Sequence, residues 1–130
     1  MANHDTVQSS HAIPSSEELK ALIEKVLDDN KADDIETIDL RGQSSLADFM
    51  VVASGTSTRQ VASLASKIQD KFAELNYPKP RAEGATQGDW VVVDAIDVIV
   101  HIFRPEVRTF YNIEKMWRPE AIGRATTAAI

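Results

Sequence analysis

Asp89-Trp90-Val91-Val92-Val93-Asp94-Ala95-Ile96-Asp97-Val98-Ile99-Val100-His101-Ile102-Phe103 decides the fold. It holds two runs rich in β-branched residues, Trp90–Ala95 and Val98–Phe103, joined only by Ile96-Asp97. A connection that short requires an antiparallel hairpin. Side chains alternate across a strand, so Trp90, Val92 and Asp94 share one face while Val91 and Val93 point to the core. By the same rule His101 faces opposite to Val100 and Ile102.

Working outward, Gly88-Asp89 marks the turn before the hairpin, and residues 81–84 read as a short edge strand. Pro105 suits the first position of a last helix with Val107, Phe110, Tyr111, Ile113, Glu114 and Trp117 on its turns, ended by Arg118-Pro119. Upstream, Phe49-Met50-Val51-Val52-Ala53 is an unbroken apolar run, the pattern of a strand covered on both faces. After it, Thr56 or Ser57 caps a helix whose stripe is Val61, Leu64, Ala65, Ile68, Phe72 and Leu75, with Asn76 as a left-handed stop. Ile35, Ile38 and Leu40 belong to a first strand, and Ser15-Ser16-Glu17-Glu18 forms a capping box before Leu19, Leu22, Ile23, Val26 and Leu27. The resulting fold class is α/β, a mixed β-sheet of about five strands flanked by helices, because at least two connections are too short for parallel crossovers.

A chain of 130 residues with 43% hydrophobic and 26% charged residues suits one globular domain. Residues 1–14 read as a flexible arm, 15–118 as the domain and 119–130 as a flexible tail. The arm carries neither Lys or Arg nor an apolar core, so no signal or transit peptide is expected. No apolar run approaches the roughly 20 residues of a membrane span. With no cysteine, disulfides and thiolate metal sites are excluded, and a reducing, cytoplasmic interior is the expected setting. A net charge of −6 argues against a general nucleic-acid binder and favours a basic protein partner, although it would also serve solubility alone.

Several constellations invite chemistry. Ser54-Gly55-Thr56-Ser57 lies between a buried strand and a helix start, where backbone amides hold phosphate in other folds, but no Gly-Lys-Ser/Thr or G-x-G-x-x-G accompanies it. Hydroxyl capping of the helix accounts for it as well. Asp94 and Asp97 supply too few oxygens for a hard cation. His101 could act as a general base near Asp94 or Glu83, yet no nucleophile joins it, and a ring tied to a carboxylate is the plainer reading. Trp90 is either an interface anchor or core. Arg108, Tyr111 and Glu114 fall near one helix stripe, as an interface ridge or a solvated face.

Together these pieces resemble the ribosomal silencing factor family, also called the Iojap or RsfS family. The resemblance lies in Asp39-Leu40, Ser44-Ser45, Asp48-Phe49-Met50-Val51, Gly55-Thr56-Ser57-x-Arg59-Gln60-Val61 and Glu83-Gly84. It continues through Asp89-Trp90-Val91-x-x-Asp94-x-x-Asp97-Val98-x-Val100-His101-x-Phe103, then Arg108, Tyr111, Glu114 and Trp117. Where that family usually places Gly in the hairpin turn, this chain has Ile96. The resemblance implies a nucleotidyltransferase-like topology without catalytic acids, and no enzymatic activity, cofactor or metal. It implies binding to the large ribosomal subunit through its L-fourteen protein, which blocks joining of the small subunit and represses translation when nutrients are short. Trp90, Asp94, His101, Arg108 and Tyr111 are then expected at the partner surface, with Glu83, Asp48 and Asp97 beside them. Little direct nucleic-acid contact is expected, and a homodimer through the same surface is a further possibility. The alternative from another class is a nucleotide-binding or nucleotidyltransferase-like enzyme using Gly55-Thr56-Ser57, Asp94 and Asp97.

Overall fold

The computed structural model describes residues 14–116. Trp117, the tail at 119–130 and all of the arm but Pro14 lie outside the described residues. The elements run α1 (Ser16–Asp29), β1 (Asp33–Asp39), β2 (Phe49–Ser54), α2 (Thr58–Glu74), β3 (Arg81–Glu83), β4 (Trp90–Ala95), β5 (Val98–Phe103), α3 (Pro105–Tyr111) and α4 (Ile113–Met116). The strands form one sheet ordered β1-β2-β5-β4-β3. Only β2 and β5 are parallel; the other three pairings are antiparallel, so the sheet is mixed as expected.

Local chemistry explains the boundaries. Ser15 Oγ accepts from the Glu18 amide while the Glu18 carboxylate accepts from the Ser15 amide, closing the capping box of α1. Ser57 rather than Thr56 caps α2, accepting from the Gln60 amide at 3.1 Å. Past α2, Asn76 takes φ 61°, the left-handed stop its side chain tolerates. β1 ends at Asp39, one residue short of Leu40; Leu40 is buried beyond the strand, its amide donating to the Asp48 carbonyl at 2.8 Å.

The last helix departs from expectation. It breaks at Asn112, which adopts φ 50° and caps α3, and the chain restarts as the short α4. Arg108, Tyr111 and Glu114 therefore do not share a helical stripe. Asn is among the few residues that enter the left-handed region cheaply, so a helical apolar pattern alone could not reveal the break.

The two faces of the sheet are covered differently. On the first, α1 and α2 lay Leu19, Ile23, Leu27, Val61, Leu64, Ile68 and Phe72 against Val51, Ala53, Val91, Val93, Val100 and Ile102, all fully or nearly fully buried. On the second, a smaller cluster gathers Ile38, Leu40, Ala47, Met50, Val52 and Phe103, with Val107 and Ile113 packed on it and Trp90 and Ile99 at its margin. All six residues of β2 are buried, because both layers meet on it.

Candidate docking surface

Trp90 begins β4 and pairs with Phe103 across the hairpin; Val92 pairs with His101 and Asp94 with Ile99. These residues face away from α1 and α2. The indole of Trp90 stacks on Phe103 (4.8 Å between ring centroids, 29° between planes) and meets the Tyr111 ring at 4.8 Å and 42°. Phe110 stands edge-on to Tyr111 at 4.9 Å. Trp90 is half-buried, whereas Tyr111 is 50% and Phe110 80% exposed. Such rings carry large apolar area at low rotamer cost, the character of an interface anchor.

Among the described residues, His101 bonds no carboxylate. Its Nδ1 accepts from the Trp90 indole Nε1–H at 2.9 Å, which puts the ring proton on Nε2. Burial pushes its pKa down to about 4, against a smaller opposing pull from Glu114. At neutral pH the imidazole is uncharged and acts as a fixed acceptor that orients the indole.

A second set of bonds fixes the rim. Arg104 ties the start of α3 to the turn before β4, its side chain bonding Asp89 at 2.9 and 3.0 Å and its amide the Asp89 carbonyl at 3.1 Å. Gly84 takes φ 95°, and a Cβ there would collide with the Trp90 carbonyl oxygen. The Glu83-Gly84 step thus lets the backbone pass under Trp90.

The other expected site residues separate into three groups. Glu83 pairs with Val92 and Asp94 with Arg81, so both carboxylates sit on the same sheet face, around a shallow depression with Arg81 and Val92. Asp48 and Asp97 lie at the opposite end of β4 and β5 from Trp90. There the Asp97 carbonyl accepts from the amides of Asp48 (2.8 Å) and Phe49 (3.3 Å), joining the hairpin turn to the start of β2. Arg108 is on the helix that carries Tyr111 but turns inward, its side chain 11% exposed. Its Nε donates to Glu114 at 2.9 Å and its Nη1 to Ser54 Oγ at 2.9 Å and the Asp34 carbonyl at 2.7 Å.

The motif at residues 54–57 is occupied by its own side chains. Gln60 Oε1 accepts from the Thr56 amide and hydroxyl, Ser57 caps α2, and Ser54 serves Arg108. Among the described residues, no three His, Cys, Asp or Glu converge as metal ligands. Asp94 lies near the end of β4 and Asp97 in the hairpin turn, and among the described residues they belong to no set of three acids placed to hold a metal ion. Among the described residues, no helix is long and apolar enough to cross a membrane.

Phe110 joins the surface without having been assigned to it. The signal was present: two adjacent aromatics on a short helix cannot both face the sheet.

Known proteins match this chain in sequence and in fold. Residues 13–128 match the family model described as "Ribosomal silencing factor during starvation". A Zymomonas mobilis protein named ribosomal silencing factor RsfS is 50% identical over 101 residues, 78% of this chain and 76% of the relative. A crystal structure from Chromobacterium violaceum superposes with a TM-score of 0.77 at 40% identity, covering 80% of this chain and 87% of that one. Another, from Bacillus halodurans, gives 0.70 at 35% identity, with 78% and 94% covered.

Proposed function

This chain belongs to the ribosomal silencing factor family, and on that premise we propose that it docks on the large ribosomal subunit through a basic protein of the L-fourteen type and blocks joining of the small subunit. The observation that carries the reading is the ring platform of Trp90, Tyr111 and Phe110, held in place by His101 and Phe103 and exposed beside α3. Its size and rigidity suit a protein partner, and steric blockade needs no turnover. An acidic domain is repelled by ribosomal RNA and drawn to a basic protein exposed within it, which favours one docking site over many. Asp94 and Glu83 line the same sheet face and are placed to meet basic side chains at the rim.

The test is a subunit-joining assay with purified ribosomal subunits, run beside co-sedimentation with large subunits. The wild-type chain is expected to co-sediment and to suppress joining. Phe110→Ser/Tyr111→Ala removes the exposed rings while leaving Trp90, Phe103 and both cores in place, and should abolish both effects with an unchanged melting temperature. Undiminished co-sedimentation of that variant would remove the platform from the interface.

A further inference from the structure

Arg108 is expected at the partner surface from the sequence, yet its side chain is 11% exposed and offers a partner little of itself. What it does instead follows from how α3 is held. α3 is seven residues long, none of them is buried, and no side chain caps its start. Val107 packs on the second cluster but is itself only half-buried. A helix this short does not hold itself in water. Its tilt, and its rotation about its own axis, must come from bonds to its neighbours.

Arg108 makes such bonds to three elements at once. Its Nη1 donates to the Asp34 carbonyl of β1 at 2.7 Å and to Ser54 Oγ at the end of β2 at 2.9 Å, while Nε donates to Glu114 of α4 at 2.9 Å. The receiving groups are themselves fixed. Asp34 lies in the β1 bulge at φ 50°, and a bulge bends a strand and redirects its groups. Ser54 is 1% exposed, in a strand buried along its whole length. Glu114 comes within reach because Asn112, left-handed at φ 50°, turns the chain, its amide donating to the Arg108 carbonyl at 2.7 Å. A guanidinium suits this task, since its planar fork gives several donors in set directions.

The rotation of α3 is what aims the rings. At 3.6 residues per turn, Tyr111 stands about 60° around the helix from Arg108, and Phe110 about 160° in the same sense. With Arg108 drawn toward β1 and β2, Tyr111 is carried to Trp90 and Phe110 is left on the outer side, 80% exposed. Trp90 has its own supports on the hairpin, the stack on Phe103 and the bond to His101. One half of the platform is thus set by the hairpin and the other through α3.

We infer that Arg108 is a positioning residue for docking: it makes no contact with the partner, and it sets the rotation of α3 so that Tyr111 and Phe110 lie in one surface with Trp90. The link to docking rests on the reading given above; the control of the rings does not. An Arg108 that merely stabilised the fold would lose binding only in step with folding.

Two variants of the full chain remove the fork while keeping the fold. Arg108→Lys retains a charge beside Glu114 but cannot give three elements their donors in set directions. Arg108→Met/Glu114→Leu replaces the pair by apolar side chains of similar size. In NMR spectra both should lose the nuclear Overhauser contacts between the Tyr111 and Trp90 rings and keep those between Trp90 and Phe103. Binding to large subunits, titrated by co-sedimentation, should weaken about ten-fold or more, because rings not held in advance must be ordered on docking. Circular dichroism should show the variants fully folded under the same conditions. Intact Tyr111–Trp90 contacts in both variants, or wild-type binding by a variant that has lost them, would overturn the inference.

A cycle with Tyr111→Ala separates positioning from contact. If Arg108 acts through the rings, Arg108→Lys should weaken binding less in the Tyr111→Ala background than in the wild-type chain. Equal, additive losses would mean that Arg108 meets the partner itself, and the inference falls. If wild-type protein fails to bind subunits at all, the docking reading falls and takes the link to docking with it, while the ring contacts still decide whether Arg108 sets α3.

Discussion

The two faces of this sheet solve different problems. The first is apolar throughout, roofed by two helices of 14 and 17 residues, and leaves almost nothing of itself exposed. The second is roofed by helices of seven and four residues; no residue of α3 is buried, and of Ile113, Glu114 and Lys115 in α4 Glu114 alone is. What the second face lacks in apolar cover it replaces with directed bonds: Trp90 to His101, Arg104 to Asp89, Arg108 to Glu114 and Ser54. Aliphatic packing is non-directional and tolerates no gaps, so it makes a stable layer; directed polar bonds fix orientation and leave a surface open. One face holds the fold and the other presents rings at a set angle.

That division can be broken experimentally. Phe72→Ala, in the fully buried first face, should lose about 4 kcal/mol, because burial and the cavity act together. Denaturant unfolding reads this directly, and the platform should fail only in proportion to the unfolded fraction. A loss below about 1 kcal/mol would mean that the first face is not the principal core.

On the second face, Arg108→Ala should cost about 3 kcal/mol, since it strands the buried Glu114 carboxylate. Arg108→Met/Glu114→Leu removes both charges and should recover most of that loss in the same measurement. If the double variant is as unstable as the single, the pair is held by packing rather than by charge.

The Trp90–His101 bond predicts a pH dependence with a definite sign. His101 titrates near 4 in the folded chain, below the ordinary value of about 6.5. Its contribution to stability is therefore complete above pH 6.5 and is lost as pH falls towards 4, because the unfolded chain takes up the proton first. With allowance for the partly exposed ring, about 2 kcal/mol is at stake. Melting temperatures of wild type and His101→Gln should converge across that window, and parallel curves would disprove the coupling.

The smallest effect belongs to the hairpin. Ile96 sits at φ 65°, a region that β-branched residues enter at a cost, in a turn where Gly fits freely. Ile96→Gly should raise stability by up to about 1 kcal/mol, with the lost packing of Ile96 against the first core working against the gain. A clear destabilisation would show that packing outweighs backbone strain there.

What the sequence determined by itself is what depends on near neighbours. The period-two runs of β4 and β5 and their two-residue link imposed the hairpin and told which side Trp90, Val92 and Asp94 would face. The helical stripes of α1 and α2, the capping box at Ser15 and the stop at Asn76 are equally local, because spacing and cap chemistry act within a turn or two. Only the tertiary structure decided which face of the sheet stays open, since that depends on the lengths of elements distant in sequence. It also decided that Arg108 turns inward to Ser54 and Asp34, 54 and 74 residues away, while Tyr111 turns out to Trp90. A left-handed Asn112 separates Glu114 from the stripe it was expected to share. His101 finds an indole instead of a carboxylate because Trp90 lies diagonally across the hairpin, two residues along β4 from the Val92 that pairs with it. Charged and aromatic residues have several admissible partners, and which one they take is set by what the fold brings within 3 Å.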